Sequence, residues 1–142
     1  MTFFIVPVHA GVAIKPDVIS MLETRGHEVI DLGPFTKERV DYTDFAHLLS
    51  QKVLAHEGTQ GILICGSGIG MSLAANKHNG IRAALCHDAY TAKMARAHND
   101  ANVLCFGERI VGLGVIESML EAWCDTSFEG GRHACRVSKI EV

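Results

Sequence analysis

The 142-residue sequence predicts an α/β protein in which helices cover both faces of one parallel sheet. Short, nearly continuous apolar runs recur along the chain, helical patterns separate them, and turn residues mark several boundaries. Such apolar runs are typical of strands buried on both faces, and their alternation with helices indicates right-handed βαβ crossovers. With 48% hydrophobic residues, the chain is long enough for one domain, residues 1–142, and too short for two.

Five apolar segments are predicted as strands, and the helices fall between and after them. The predicted strands span residues 3–8, 27–33, 61–65, 81–86 and 101–107. The predicted helices span residues 13–25, 43–56, 71–77, 89–97 and 112–123, with a last one after Gly130-Gly131. Asn79-Gly80 and Arg25-Gly26 support two of the helix-to-strand boundaries, because glycine commonly ends a helix.

Composition excludes several classes of protein. A net charge of −3 and a pI of about 6.2 provide no global positive field for nucleic acid or an anionic membrane surface. The apolar N-terminus reaches His9 and Lys15 before a signal sequence or a membrane span is complete, so we expect a cytoplasmic protein. The five cysteines form no CxxC pair, which argues against a disulfide framework.

Candidate functional residues follow the predicted strands. Ligands of open α/β sheets bind at the carboxyl ends of strands, near the point where the strand order reverses. His9 follows the first strand, Cys65 ends another, His87-Asp88 follows residues 81–86, and Arg109 follows residues 101–107. The strand that ends at Cys65 leads into a loop with three glycines in five residues.

The glycine loop, "CGSGIGMS", allows three functions besides a simple tight turn. As a dinucleotide loop it departs from GxGxxG, because Met71 takes the place of the last glycine. As a phosphatase loop it lacks the arginine six positions after the cysteine, although a phosphocysteine carrier does not need one. As a third possibility, Cys65 is a general base, since converging backbone amides favour its thiolate and stabilise an enediolate.

The histidines and arginines suggest an anion site and no metal centre. The eight histidines show no HxH, HExxH or Cys/His spacing of a zinc site, so we assign neither a metal nor a cofactor. His98-Asn99 follows a predicted helix, and we expect both residues to reach the strand-end cleft. Arg132 and Arg136 lie four apart on one helix face, where two guanidinium groups suit a phosphate.

With these features, the sequence resembles the type B ribose-5-phosphate isomerases and related sugar-phosphate isomerases. The resemblance runs almost from end to end. It is carried by "HAG", "EVIDLG", "VDYTDFA", "GILICGSGIGMSLAANKHNGIRAAL", "AHNDANVLCFGERIVG" and "FEGGRHACRV". It implies a Rossmann-like three-layer α/β/α sandwich with a five-stranded parallel sheet. It also implies a role in carbohydrate metabolism, in the pentose phosphate pathway, and a homodimer or tetramer whose active sites combine both subunits.

The resemblance also implies roles for individual residues. Cys65 resembles the base that moves a proton between the first two carbons of the sugar. Gly66 to Gly70, with Ser67 and Ile69, resemble the loop that holds the enediolate oxygens. Tyr42 resembles a pocket-lining tyrosine, and His98 resembles the acid that opens the sugar ring. Asn99 resembles a substrate ligand. The phosphate ligands of the family correspond to His9, Arg109, Arg132 and Arg136.

The sequence resembles the cysteine branch of the family, because Met71 occupies the position of the glutamate base of the other branch. The expected reaction is therefore the isomerisation of ribose 5-phosphate to ribulose 5-phosphate. Val8 is the main departure, since relatives commonly carry an aspartate there that binds sugar hydroxyls. We expect Val8 to favour another substrate, such as a tetrose or hexose phosphate. A phosphocysteine transfer or binding module is the alternative from a different class.

Overall fold

A computed structural model describes residues 1–36 and 38–142 and confirms the predicted α/β fold with a five-stranded parallel sheet. The strands are β1 (Thr2–Pro7), β2 (Glu28–Asp31), β3 (Gln60–Cys65), β4 (Ala83–Leu85) and β5 (Val103–Gly107). Their order across the sheet is β2-β1-β3-β5-β4, and every neighbouring pair is parallel. The chain therefore leaves β1 toward one edge and later crosses back to build the other.

Strand β4 is shorter than the sequence predicts, and side chains hydrogen-bond to the backbone at its start. The Asn76 amide donates to the Ala83 carbonyl at 2.9 Å and accepts from the Ala83 N–H at 2.8 Å. The Arg82 N–H donates to Asn102 Oδ1 at 2.8 Å, outside the strand ladder. Ile81, which lies in the predicted strand but outside β4, is nevertheless buried. The apolar run therefore predicted burial correctly but overestimated the length of the strand.

Helices follow each strand, as the alternating pattern predicts. They are α1 (Lys15–Thr24), α2 (Tyr42–Ala55), α3 (Ile69–Ala75), α4 (Ala89–Asn99), α5 (Leu113–Asp125) and α6 (Arg132–Ser138). A 3₁₀ helix that the sequence did not indicate, His9–Ile14, precedes α1. It packs closely on β3, since a Cβ at Gly11 would lie 2.8 Å from the Ile64 side chain. Among the described residues, no helix has the length and apolar character needed to span a membrane.

Two hydrophobic clusters, one on each face of the sheet, hold the layers together. Alternate residues of each strand point to opposite faces. Phe3 and Ile5 therefore pack with α1, α4 and α5, whereas Phe4 and Val6 pack with α2 and α3. Helices α1 to α5 are thus divided three to two between the faces, and α6 packs on α4. This burial leaves the loops at the carboxyl ends of the strands free to form a site.

One buried hydrogen bond in the first cluster is a suitable test of this packing. Trp123 Nε1 donates to Gln60 Oε1 at 2.8 Å, and the Trp123 side chain is 1% exposed. Replacing Gln60 by leucine removes the acceptor of this N–H. We expect the free energy of unfolding to fall by about 1–3 kcal/mol in a chemical denaturation experiment.

A double-mutant cycle separates the hydrogen bond from a general packing defect. In a Trp123→Phe background the donor is absent, so Gln60→Leu should cost clearly less than in the unmodified chain. Equal costs in both backgrounds would contradict the importance of this bond.

Candidate active site

The glycine loop between β3 and α3 lies directly on the end of β5. Cys65, the last residue of β3, pairs in register with Gly107. A Cβ added at Gly107 would lie 2.5 Å from both the Gly66 carbonyl oxygen and Ser67 Cα. Gly68 adopts a φ of 81°, in the left-handed region that side chains rarely occupy. The loop can follow this path only because these positions carry no side chain.

The Cys65 thiol faces a backbone donor of its own loop. The Gly68 N–H donates to Cys65 Sγ at 3.1 Å, and the Ile69 N–H donates to Ser67 Oγ at 3.3 Å. The thiol is half-buried, so a small molecule in the adjoining cavity can reach it. The thiolate is the form of cysteine that accepts a proton or attacks an electrophile, and the Gly68 N–H points at this sulfur.

The Cys65 cavity has a volume of about 410 Å³ and lies at the carboxyl edge of the sheet. Its lining consists of His9, Tyr42, Cys65, Gly66, Ser67, Gly70, Arg109 and Ile110. The loops after β1, β3 and β5 meet there, where the strand order reverses, as expected for a ligand site in an open α/β sheet. Seven of these eight lining residues are among the site residues predicted from the sequence, and Ile110 is the exception.

Arg109 and Tyr42 cover the glycine loop from two sides. The Arg109 N–H donates to the Gly66 carbonyl at 3.1 Å, and its guanidinium lies over the same glycine. The Tyr42 ring lies against Gly70, where an added Cβ would be 2.6 Å from the ring atoms. The cavity therefore combines a thiol, a guanidinium cation and an aromatic wall. This combination suits a small anionic ligand.

His9 and Val8, which are adjacent in sequence, have different surroundings. His9 is exposed, adopts a φ of 51° and places Nε2 3.1 Å from the Val40 carbonyl oxygen. Val8 is 0% exposed, and its N–H donates to the Ile64 carbonyl at 2.9 Å. The prediction that Val8 lies against a ligand is therefore corrected for the single chain. Its side chain completes the core and contributes no surface to the cavity.

His98 and Asn99 lie at the opposite edge of the sheet from Cys65, which corrects the expectation that they reach the same cleft. Helix α4 runs back from the end of β4 to the start of β5, so its last residues lie at the amino edge. Along β5, Val103 and Gly107 are separated by about 13 Å at 3.3 Å per residue. Asn99 lines a different cavity, of about 510 Å³, beside β4.

Arg132 and Arg136 share the location of His98 rather than that of Cys65. Helix α6 packs on α4, and the His133 ring, next to Arg132, stacks on the His98 ring. Both arginines are exposed. Within one chain the predicted residues therefore form two groups, one around Cys65 and one around His98.

The group around His98 includes two residues to which the sequence analysis gave no role. The His98 and His133 rings are stacked, with centroids 4.2 Å apart and an interplanar angle of 12°. The Glu129 carboxylate lies 3.8 Å from His98 Nε2 and 3.6 Å from His133 Nε2. Burial, followed by the neighbouring His98 and Arg132, lowers the pKa of His133 and favours its neutral form.

Sequence patterns pointed to one residue, Asp88, that lies outside the Cys65 cavity, and missed two others, Ile110 and Glu129. Asp88, a candidate because it follows β4, accepts a 2.7 Å hydrogen bond from the Thr91 N–H and caps α4. This bond lowers the pKa of the Asp88 carboxyl. Ile110 and Glu129 were missed, because a lone aliphatic or acidic residue carries no local signal. The spacing of Glu129, four residues before His133, is a weak indication that the two side chains lie together.

Comparison with known proteins identifies the family to which this fold and site correspond. The model of the Ribose/Galactose Isomerase family matches residues 4–140. The chain is 46% identical over 132 residues to ribose-5-phosphate isomerase B of Escherichia coli strain K12, covering 93% of this chain and 89% of that protein.

Solved structures agree with the sequence comparison. The ribose-5-phosphate isomerase B of Clostridium thermocellum superimposes with a TM-score of 0.94 at 47% identity, covering 99% of this chain and 95% of that one. The Mycoplasma genitalium enzyme of the same name, solved with bound ribulose-5-phosphate, gives a TM-score of 0.93 at 40% identity, covering 98% and 93%.

The environments of the cysteines predict selective alkylation. Burial raises the pKa of Cys86 to about 11 and also raises that of Cys105, so both remain protonated near neutral pH. Cys65 is half-buried beside its backbone donor, and Cys135 is exposed. Limited iodoacetamide treatment of the native protein at pH 7.5, read by peptide mass spectrometry, should label Cys65 and Cys135.

Denaturation is the control for this labelling, because all five thiols should then react. Labelling of Cys105 in the native protein at the rate of Cys135 would contradict the burial of that side chain.

Proposed function

The chain belongs to the Ribose/Galactose Isomerase family, and on that premise we propose that it interconverts ribose 5-phosphate and ribulose 5-phosphate. It is an aldose–ketose isomerase. The observation that carries the proposal is the Cys65 thiol, which accepts the Gly68 N–H at 3.1 Å and opens into the cavity under Arg109. We place this chemistry in the cytoplasm.

In the proposed mechanism, Cys65 shuttles one proton between two adjacent carbons. The thiolate takes the C2 proton of the open-chain aldose and becomes a thiol. A double bond forms between C1 and C2, and the C1 carbonyl oxygen becomes the negative oxygen of the enediolate. The hydroxyl proton on O2 passes to O1, and the Cys65 thiol returns its proton to C1 to give the ketose. The Ser67 hydroxyl and the loop amides are the groups nearest the thiol that can bind the enediolate oxygens.

We propose that two copies of the chain complete each active site. One chain holds Cys65 at the carboxyl edge of its sheet and His98 with Arg132 and Arg136 at the amino edge. Ring opening by His98 and a phosphate grip by both arginines require these groups to meet the Cys65 cavity. A homodimer in which the amino edge of one copy meets the carboxyl edge of the other satisfies this requirement.

Exposed apolar residues on the elements that follow the strands support a second copy as the occupant of the carboxyl edge. They lie on helices or loops that leave this edge: Ile69, Leu73, Tyr90, Ile110 and Leu113. Each is at least 45% exposed in the single chain, and Ile110 lines the cavity itself. Burying this surface against a second copy would also exclude water from the cavity.

A second candidate substrate is another sugar phosphate, and Val8 is the observation that favours it. An aspartate at this position would offer two acceptor oxygens, whereas the fully buried Val8 offers neither an acceptor nor cavity surface. A sugar hydroxyl that needs this acceptor loses a hydrogen bond, at a cost of about 1–3 kcal/mol.

The role of Cys65 predicts both a rate and an isotope pattern. Cys65→Ala should lower kcat by about two to four orders of magnitude, because this is the usual contribution of a positioned base. In heavy water the unmodified enzyme should place deuterium on C2 of recovered ribose 5-phosphate or C1 of ribulose 5-phosphate, as seen by NMR.

Cys105→Ala is the matched control, since this buried cysteine should affect stability and leave kcat almost unchanged. A stable phosphoryl group on Cys65 with no deuterium in the sugar would overturn the isomerase proposal in favour of a phosphocysteine carrier.

The shared site predicts complementation between two inactive variants. In a mixed dimer of Cys65→Ala and Arg136→Ala chains, one site carries both changes and the other carries neither. Random refolding of an equal mixture should therefore restore about a quarter of the unmodified activity.

A mixture of Cys65→Ala with Ser67→Ala is the control, because both changes affect the same half of the site and no intact site can form. Equal activities of the two mixtures would show that each chain supplies its own complete site.

Substrate preference is measured with a panel of tetrose, pentose and hexose phosphates. If the second candidate is correct, Val8 removes an acceptor and kcat/KM for ribose 5-phosphate should lie below that of the best panel member. A clear preference for ribose 5-phosphate over the whole panel would mean that another group supplies the missing acceptor.

A further inference from the structure

Three potential metal ligands converge at the amino edge of the sheet. Within residues 1–36 and 38–142, His98, Glu129 and His133 form the one group of three or more such side chains, with ligand atoms all within 4.8 Å of one another. His98 belongs to α4 and His133 to α6, so the tertiary fold brings the ligands together. The Glu129 N–H donates to the Ala97 carbonyl at 3.0 Å and ties its segment to α4.

The donor set matches the chemistry of zinc. Two imidazole nitrogens and one carboxylate form a His₂Glu set, which binds Zn²⁺ in proteins and leaves a fourth position open. Imidazole ligands also favour zinc, copper and nickel over magnesium and calcium. The cluster therefore selects a borderline-soft divalent ion rather than a hard one.

The two distances to Glu129 require only a small contraction. Bonds of about 2.0–2.1 Å in tetrahedral geometry place neighbouring ligand atoms about 3.3–3.4 Å apart. Glu129 lies 3.6 Å from His133 Nε2 and 3.8 Å from His98 Nε2. The side chains of Glu129 and His98 are 57% and 39% exposed, so both have room to adjust.

The stacked rings must open to bind an ion. Parallel imidazoles direct their nitrogen lone pairs side by side, so one ring has to tilt before both can face a common metal. His133 is buried against the protein and His98 is the more exposed of the two. The His98 ring is therefore the one that rotates.

We propose that His98, Glu129 and His133 form a binding site for a zinc-like divalent ion, and that its occupancy inhibits the enzyme. The first clause depends only on the cluster. The second rests on the proposed function, in which His98 opens the sugar ring, because coordination withdraws His98 from this role. Arg132 and Arg136 lie on α6 together with His133, and their positive charges repel a cation. The affinity of the cluster for zinc is therefore lower than that of a structural zinc site.

The binding test uses Zn²⁺ itself in competition with a chromogenic chelator. The protein carries Cys65→Ala and Cys135→Ser, which remove the two most accessible thiols as competing ligands. We expect one ion per chain, and an affinity at least about tenfold weaker after Glu129→Gln or His133→Asn. Glu129 is exposed, so its substitution is not expected to disturb folding. His56→Asn, which changes an exposed histidine on α2, is the matched control and should bind as tightly as its parent.

The activity test follows isomerisation by chains that retain Cys65, with Zn²⁺ added and then removed by EDTA. Zinc should inhibit the unmodified enzyme reversibly, and Glu129→Gln should require at least about tenfold more zinc for the same inhibition. Unchanged zinc affinity in both Glu129→Gln and His133→Asn would overturn the site. Tight binding without inhibition of an active enzyme would overturn the inhibitory role. Failure of the metal-free protein to isomerise any sugar phosphate would contradict the proposed function, while the chelator test would still decide the site.

Discussion

The contact between the glycine loop and the end of β5 is the constraint on which the Cys65 site depends. Gly107 lets the loop backbone lie directly on the strand, and the Glu108 N–H donates to the Cys65 carbonyl at 2.8 Å. The next N–H, of Arg109, donates to Gly66. Residues 108 and 109 thus hold the backbone of residues 65 and 66, so the backbones of Cys65 and Arg109 keep a fixed relation.

The packing of β3 and β5 within the sheet maintains this contact. Both strands are central in the sheet, and each is covered by apolar side chains on both faces. Because the strand neighbours are parallel, their carboxyl ends reach the same edge together, and the loops after β1, β3 and β5 meet without a long excursion. A site at this edge therefore needs only short loops and small residues, which is what the chain provides.

The residues that the sequence predicted as functional are divided between two edges of the sheet, and the second half of the chain supplies the group at the amino edge. Helix α4 carries His98 away from Cys65, while α6 and the segment around Glu129 are packed against the end of α4. One set of contacts thus organises a histidine pair, a carboxylate and two arginines at the amino edge. In the proposed dimer this set faces the Cys65 cavity of the other copy, and in the proposed metal site the same pair of rings responds to an ion.

The sequence by itself determined the fold class and the approximate positions of all five strands, because these depend on local patterns. Local patterns also indicated His9, Cys65 with its glycine loop, and Arg109, whereas Tyr42 came only from the family resemblance. Apolar runs report burial, and a glycine loop after a strand indicates a ligand site at its carboxyl end. The tertiary structure alone decided that β4 is short, that Val8 is buried, and that His98 and Asn99 lie far from Cys65. Such features depend on which edge a helix end reaches and on which side chains meet across elements. Residues distant along the chain make those contacts, so no local pattern records them.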